Sequence, residues 1–238
     1  MLLSSIGVIN SSYGPDIPTG QLVNWYEPGN SAGIINNGGT LELANLAPGG
    51  DSGQRYVSAG TPQFSQNFIG ATTISITDIN TYSSWTTNNS FVPFAWDTFA
   101  NYTLIIISKY NDANGQCFDT FVDPNGATFK LGNCNGANDV CIINGQIISA
   151  GNQPDSIWAM YTIIGQQSGN SFLFYKNNTI LASSTYKQLP QNTVIFDWNP
   201  PPTESSVGAI LCYGRAITNK ERISIFEHYK QRFGMQDA

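Results

Sequence analysis

The sequence predicts an all-β domain, a sandwich or a barrel, closed by one C-terminal α-helix. Two observations carry this. About a dozen short runs rich in β-branched and aromatic residues alternate with turn signals at spacings of about 8–12 residues. The last stretch, Val207 to Gly234 (VGAILCYGRAITNKERISIFEHYKQRFG), then reads as a buried strand, a tight connection, one amphipathic helix and a stop. A chain of 238 residues suits one large β domain. No repeat at a fixed period and no linker divides its core.

Residues 1–20 are expected to form an N-terminal arm, because Gly, Pro and Ser punctuate them too often for a long element. Leu2 to Ile9 is either a strand or a segment that docks on a neighbouring molecule. The domain proper is expected over residues 21–238, opening with the strand Gln21 to Tyr26. Thr72 to Thr77 is β-branched at nearly every position. Ser90 to Phe99 and Tyr102 to Ser108 give strong strand signals. A hairpin follows over 117–134, turning at Asp123-Pro124-Asn125-Gly126, and a second turns at Asn144-Gly145. Ser156 to Gly165, Ser171 to Lys176, Thr179 to Ser183 and Val194 to Trp198 complete the set before a Pro-rich corner.

The closing stretch is marked most clearly. Ala209 to Tyr213 is an apolar run short enough for a strand covered on both faces. Thr218 and Glu221 have the spacing of a capping box, in which each side chain bonds the other's backbone amide. Ile225, Phe226, Tyr229 and Phe233 fall on one side of the helix, with Ile223 at its edge. Gly234 supplies the positive φ that ends it, and Lys230 and Arg232 suit the negative end of its dipole.

Composition bounds the function. Hydrophobic residues make up 41% of the chain, enough for a core, while charged residues make up only 11%, well below the usual quarter. Asn, Ser, Thr, Gln and Gly must therefore supply the polar surface. Net charge is −6, and no basic stripe with interleaved aromatics is present, so no nucleic-acid partner is expected. No apolar run approaches a membrane span, and Met1 to Asn10 lacks the features of a secretory signal. Cys117 and Cys134 flank the first hairpin, so a cross-strand disulfide between them is one expectation. Cys134 with Cys141 is the competing pair, and four reduced thiols is the third reading. Cys212 is expected to be a buried free thiol.

Four segments together resemble the concanavalin A-like, laminin-G-type jelly rolls of phage, viral and bacterial surface proteins. They are Gly20 to Tyr26, Leu46 to Phe64 with Thr61-Pro62, Ser171 to Asn178, and Ile210 to Ile217 with Glu221 and Tyr229. The resemblance implies a two-sheet antiparallel jelly-roll sandwich with one C-terminal helix. Where the family often carries an acidic residue and an Asn, this chain has Ala209 and Gly214, so no hydrogen-bond network is assigned around Arg215.

Glycoside hydrolases share that fold and need two carboxylates flanking the scissile bond. None of the five Glu residues falls in the Glu-x-Asp-x-x-Glu pattern, and Asp123, the partner of Asp119 in the nearest pair, begins a turn. His228 is the sole histidine and serves no visible Ser or Cys. No enzyme activity and no cofactor are expected. Were calcium bound, the densest oxygen donors are Asp112 with Asn111 and Asn114, and Asp139 with Asn135 and Asn138. Trp85, in a polar stretch, and Trp198, beside the Pro-rich corner, are the candidates for stacking on a ligand, whereas Trp25 and Trp158 belong to the core. Asn10, Asn88, Asn101 and Asn177 open glycosylation sequons. The expected role is binding and assembly, as a virion-associated component (a minor capsid or capsid-surface protein) on a virion or extracellular surface. Its partners would be other virion or surface proteins and glycans. A lectin-like carbohydrate-binding module is the alternative, and a glycoside hydrolase the third reading.

Overall fold

The computed structural model describes residues 17–27, 30, 33–37, 40–48, 55–58, 63–66, 72–75, 85–87, 100–110, 118–122, 128–134, 137–143, 146–150, 157–188 and 205–237. They form sixteen strands and one helix. The strands are β1 (Leu22–Tyr26), β2 (Ile34–Asn37), β3 (Thr40–Ala44), β4 (Arg55–Ser58), β5 (Gln63–Gln66), β6 (Thr72–Ser75), β7 (Trp85–Thr87) and β8 (Asn101–Tyr110). There follow β9 (Phe118–Val122), β10 (Thr128–Cys134), β11 (Ala137–Ile143), β12 (Gln146–Ala150), β13 (Ala159–Gln166), β14 (Ser171–Lys176), β15 (Thr179–Ser184) and β16 (Ser205–Tyr213). The helix α1 spans Asn219–Phe233. The protein is an all-β sandwich with one C-terminal helix.

The largest sheet runs β15-β14-β13-β8-β16-β6-β5, every pairing antiparallel. β1 joins it against β16, pairing Trp25 with Leu211 and Tyr26 with Ile210. Since β8 lies along one edge of β16, β1 and β6 share the other. Two four-stranded sheets, β12-β11-β10-β9 and β2-β3-β4-β7, supply the remaining framework.

The central strands are buried on both faces, which is why they read as unbroken apolar runs rather than alternating ones. On one face Ile105, Ile107, Met160, Ala209 and Leu211 meet Ile225, Phe226, Tyr229 and Phe233 of α1. On the other, Leu104, Ile106, Ile163, Phe172, Phe174 and Cys212 are each at most 1% exposed. Trp25 and Trp158 belong to the helix-side core, as the sequence predicts. Of the expected arm, residues 17–20 are described: Ile17 packs in that core and the Gly20 carbonyl accepts from Arg215.

The helix forms as its sequence dictates. The Thr218 hydroxyl accepts from the Glu221 amide at 3.2 Å, and Glu221 accepts from the Thr218 amide at 2.8 Å. Gly234 closes the helix at φ 62°, its amide donating to the Lys230 carbonyl. Ile225, Phe226, Tyr229 and Phe233 are buried, while Ile223 is exposed. No helix among the described residues is long and apolar enough to cross a membrane.

Several expectations change in detail. β16 begins at Ser205, not Ala209, and passes a register shift between Val207 and Ala209. Cys134 and Cys141 each lie within a strand. They lie on the paired strands β10 and β11, with Cys134 opposite Ala137 and Cys141 opposite Leu131. Cys141 is a buried free thiol, which removes the Cys134–Cys141 disulfide, and Cys212 is a second one. Burial pushes both thiols well above their ordinary pKa.

Candidate functional site

The charged groups near α1 are arranged as fastenings. Arg215 leaves β16 in the tight connection before the helix. Its guanidinium donates to both Glu221 carboxylate oxygens, at 2.9 and 2.6 Å, while its Nε donates to the Gly20 carbonyl at 2.8 Å. The network that the sequence left unassigned therefore exists. Its acid comes from the capping box rather than from the strand. The Arg215 hydrogen bonds, with those from Thr218, hold the Glu221 carboxyl down at about 2.

A folded-state pKa below the unfolded value makes the ionised form a source of stability. That stability is present above about pH 4.5 and is lost as pH falls through about 2. The pair is partly open to solvent, so its worth is about 1 kcal/mol or less. Thermal melts of the parent and Glu221→Gln should differ at pH 6 and converge near pH 2. A gap that stays constant across this range would rule the linkage out.

Two further charges are buried. Glu27, 2% exposed, follows β1 and accepts from Trp25 Nε1 at 3.0 Å, from the Tyr229 hydroxyl at 2.9 Å, and from Arg232. Arg222, also 2% exposed, donates to the Asn177 carbonyl and to Asn219 Oδ1, and lies 4.4 Å from the Tyr175 ring centroid. Burial lowers its pKa. Asn177, in the turn between β14 and β15 at φ 51°, accepts from the Met160 amide through Oδ1 and donates to the Gln236 carbonyl through Nδ2. The helix is thus tied to β1 by Glu27 and to the β14–β15 hairpin by Arg222.

A different arrangement sits where the chain leaves β15. The Tyr186 amide donates to Asn170 Oδ1 at 3.3 Å, the buried Tyr102 hydroxyl donates to the Lys187 carbonyl, and Lys187 Nζ donates to Gln146 Oε1 at 3.1 Å. Tyr186 is half-buried, its ring 6.1 Å from that of Tyr102 and tilted by 54°. Gly165 makes room for Tyr102, because a Cβ there would lie 2.3 Å from the Tyr102 ring.

The residues singled out from the sequence are not gathered in one place. Trp85 opens β7, where it pairs with Ser58 at one side of the β2-β3-β4-β7 sheet; Trp198 lies outside the described residues. Cys134 ends β10, and Cys117 lies outside the described residues. Asp119 stands opposite Lys130, whereas Asp123 is not described. Of the calcium donors, Asn138 and Asp139 lie within β11, and Asp112, Asn111, Asn114 and Asn135 fall outside the description. Among the described residues no group of three or more His, Cys, Asp or Glu could hold a metal ion. His228 packs edge-on against Tyr229. Two sequon residues are committed elsewhere: Asn177 is 1% exposed, and Asn101 Oδ1 accepts from the Gln167 amide.

Sequence reasoning missed Glu27, Arg222, Asn45 and Tyr186. Asn45 caps the free side of β1, accepting from the Trp25 and Ala47 amides and donating to the Val23 carbonyl. An Asn after a strand carries no such signal by itself. For Arg222, its place one turn into an otherwise apolar helix face was the available clue.

No family model and no curated protein matches the sequence. Solved structures do match the fold. The binding domain of Paraclostridial Mosquitocidal Protein 1 aligns with TM-score 0.59 at 17% identity, over 88% of this chain and 52% of that one. A Trypanosoma rangeli sialidase mutant displaying trans-sialidase activity aligns with TM-score 0.63 at 12% identity, over 92% and 35%. The binding domain of botulinum neurotoxin DC in complex with SialylT aligns with TM-score 0.59 at 12% identity, over 88% and 52%. The chain therefore spans about half the length of these toxin binding domains and about a third of the sialidase. At such identities the likeness establishes the β-sandwich fold.

Proposed function

We propose that this protein is a non-catalytic recognition module that binds glycans, displayed on a virion or another extracellular surface. The observation that carries the reading is the fold. Nearly nine-tenths of the chain superposes on a toxin binding domain solved with SialylT, and a similar share on a sialidase. Three carboxylates among the described residues are committed to ion pairs. Glu27, Glu221 and Asp237 each hold a cation of the helix region rather than facing one another across a cleft. The low charge and amide-rich surface suit a polyhydroxyl ligand, which is met by hydrogen bonds.

The test is a glycan array probed with the full chain, with and without EDTA. Saturable binding to a restricted set of glycans, unchanged by chelation, is the expected result. No binding to any glycan would overturn the reading, and loss in EDTA would overturn its metal-free form. The same low charge favours a second reading, a virion component held by neighbouring subunits. Its test is whether the chain co-purifies with assembled particles, and consistent absence from them would remove it.

A further inference from the structure

The chain leaving β15 is fixed at three points, to the β13–β14 turn through Asn170, to β8 through Tyr102 and to β12 through Gln146. A loop held this way loses little conformational freedom when a ligand settles on it. It presents a half-buried aromatic ring, Tyr186, with part of its surface open to solvent. Two exposed amide residues, Asn170 and Gln146, lie within hydrogen-bond reach of its backbone or its neighbour.

Lys187 differs from four of the five cations of the helix region, the fifth, Lys220, being exposed on the first turn of α1. Arg215, Arg232 and Lys230 each face a carboxylate, and Arg222 is buried against carbonyl and amide oxygens and a ring. Among the described residues, the Lys187 ammonium meets an amide oxygen and no carboxylate. Its charge is left for something else. An aromatic face takes the apolar C–H surface of a sugar ring, amides take its hydroxyls, and an uncompensated ammonium takes an anionic substituent.

We infer that Tyr186, Lys187, Asn170 and Gln146 form a subsite for a carboxylated sugar, a sialic or uronic acid residue of a glycan. This rests on the glycan-binding reading above and specifies the ligand class and place. Tyr186 stacks on the sugar ring, Lys187 pairs with the carboxylate, and the amides orient the hydroxyls. The chain's net charge of −6 disfavours anions at long range, so a local ammonium is what would select an acidic sugar.

The test is calorimetric titration of the full chain with 3′-sialyllactose, a glucuronic-acid-terminated disaccharide and lactose. Wild type should bind at least one acidic probe about tenfold more tightly than lactose, a difference of ~1.4 kcal/mol. Lys187→Gln should lower affinity for the acidic probe about tenfold, bringing it down to that for lactose, and Lys187→Glu should lower it further. Tyr186→Ala should weaken all probes by about tenfold. Lys187 lies at the surface, so its two variants keep the test valid if Tyr186→Ala fails to fold. Preference for one acidic probe over the other supports the subsite and names its source. Equal binding of acidic and neutral probes, or array hits confined to neutral glycans, would overturn it. So would binding that survives Lys187→Gln and Tyr186→Ala but is lost in Trp85→Ala or Trp198→Ala, which places the site at a tryptophan. No binding to any probe or array glycan sinks the glycan reading itself.

Discussion

Glu27→Ala is expected to destabilise the sandwich by about 3 kcal/mol, the cost typical of removing one partner from a buried charged network. Glu27 is the acceptor for three donors at once, Trp25 Nε1, the Tyr229 hydroxyl and Arg232, and both Trp25 and Tyr229 are core residues. Without the carboxylate, the Trp25 indole N–H and the buried Tyr229 hydroxyl lose the charged acceptor they share. For a chain of this size the loss corresponds to a fall in Tm of about 9 °C. Glu27→Gln keeps one accepting oxygen but not the charge that Arg232 faces, and should lose roughly half as much. Urea titrations of the three proteins measure this. Glu27→Ala within 1 kcal/mol of the parent, a typical surface effect, would show that the contacts carry little net energy.

Gly208→Ala should cost about 2–3 kcal/mol, as forced overpacking does. Gly208 lies at the register shift in β16, directly beneath the end of α1. A Cβ there would stand 2.4 Å from Phe233 Cζ and 2.6 Å from its Cε1. The ring has nowhere to go, since Trp158 lies 4.7 Å from it and Tyr229 6.0 Å, centroid to centroid. Combining Gly208→Ala with Phe233→Leu should therefore cost less than the sum of the two single changes, because the smaller side chain admits the new methyl. Gly20→Ala is the control: its nearest contact would be Arg215 at 3.9 Å, and its stability should match the parent. Additive energies in the double variant would contradict the clash.

The parts of this fold that were legible are those specified locally. The capping box, the apolar stripe and the terminal glycine of α1 lie within seventeen consecutive residues, and each acts on its neighbours. The strands YTLIIIS and AILCY were legible because burial on both faces leaves no polar alternation to interpret. What was not legible depends on partners far along the chain. Nothing local shows that Gly208 makes room for a ring twenty-five positions later. Glu27 and Arg222 carried no local sign of burial, since most such residues lie at the surface. Their burial follows from the helix docking over β1 and the β14–β15 hairpin. Tyr186 and Lys187 sit in an ordinary-looking loop, and only the three bonds to separate elements set them apart.

The pairing of β1 with β16 also governs how the protein can be made. Glu27 waits for Tyr229 across 202 positions and for Arg232 across 205. At roughly 5–20 residues per second, a ribosome needs about 10–40 s to span that gap. Until β16 is made, β1 has no strand to pair with, and β8, once made, lacks its neighbour on one side. The core can close only after the last helix has emerged, so the nascent chain must keep its most apolar strands apart until then. Fragments that stop short of β16 should be held by chaperones or aggregate, while chains that include α1 can close the core.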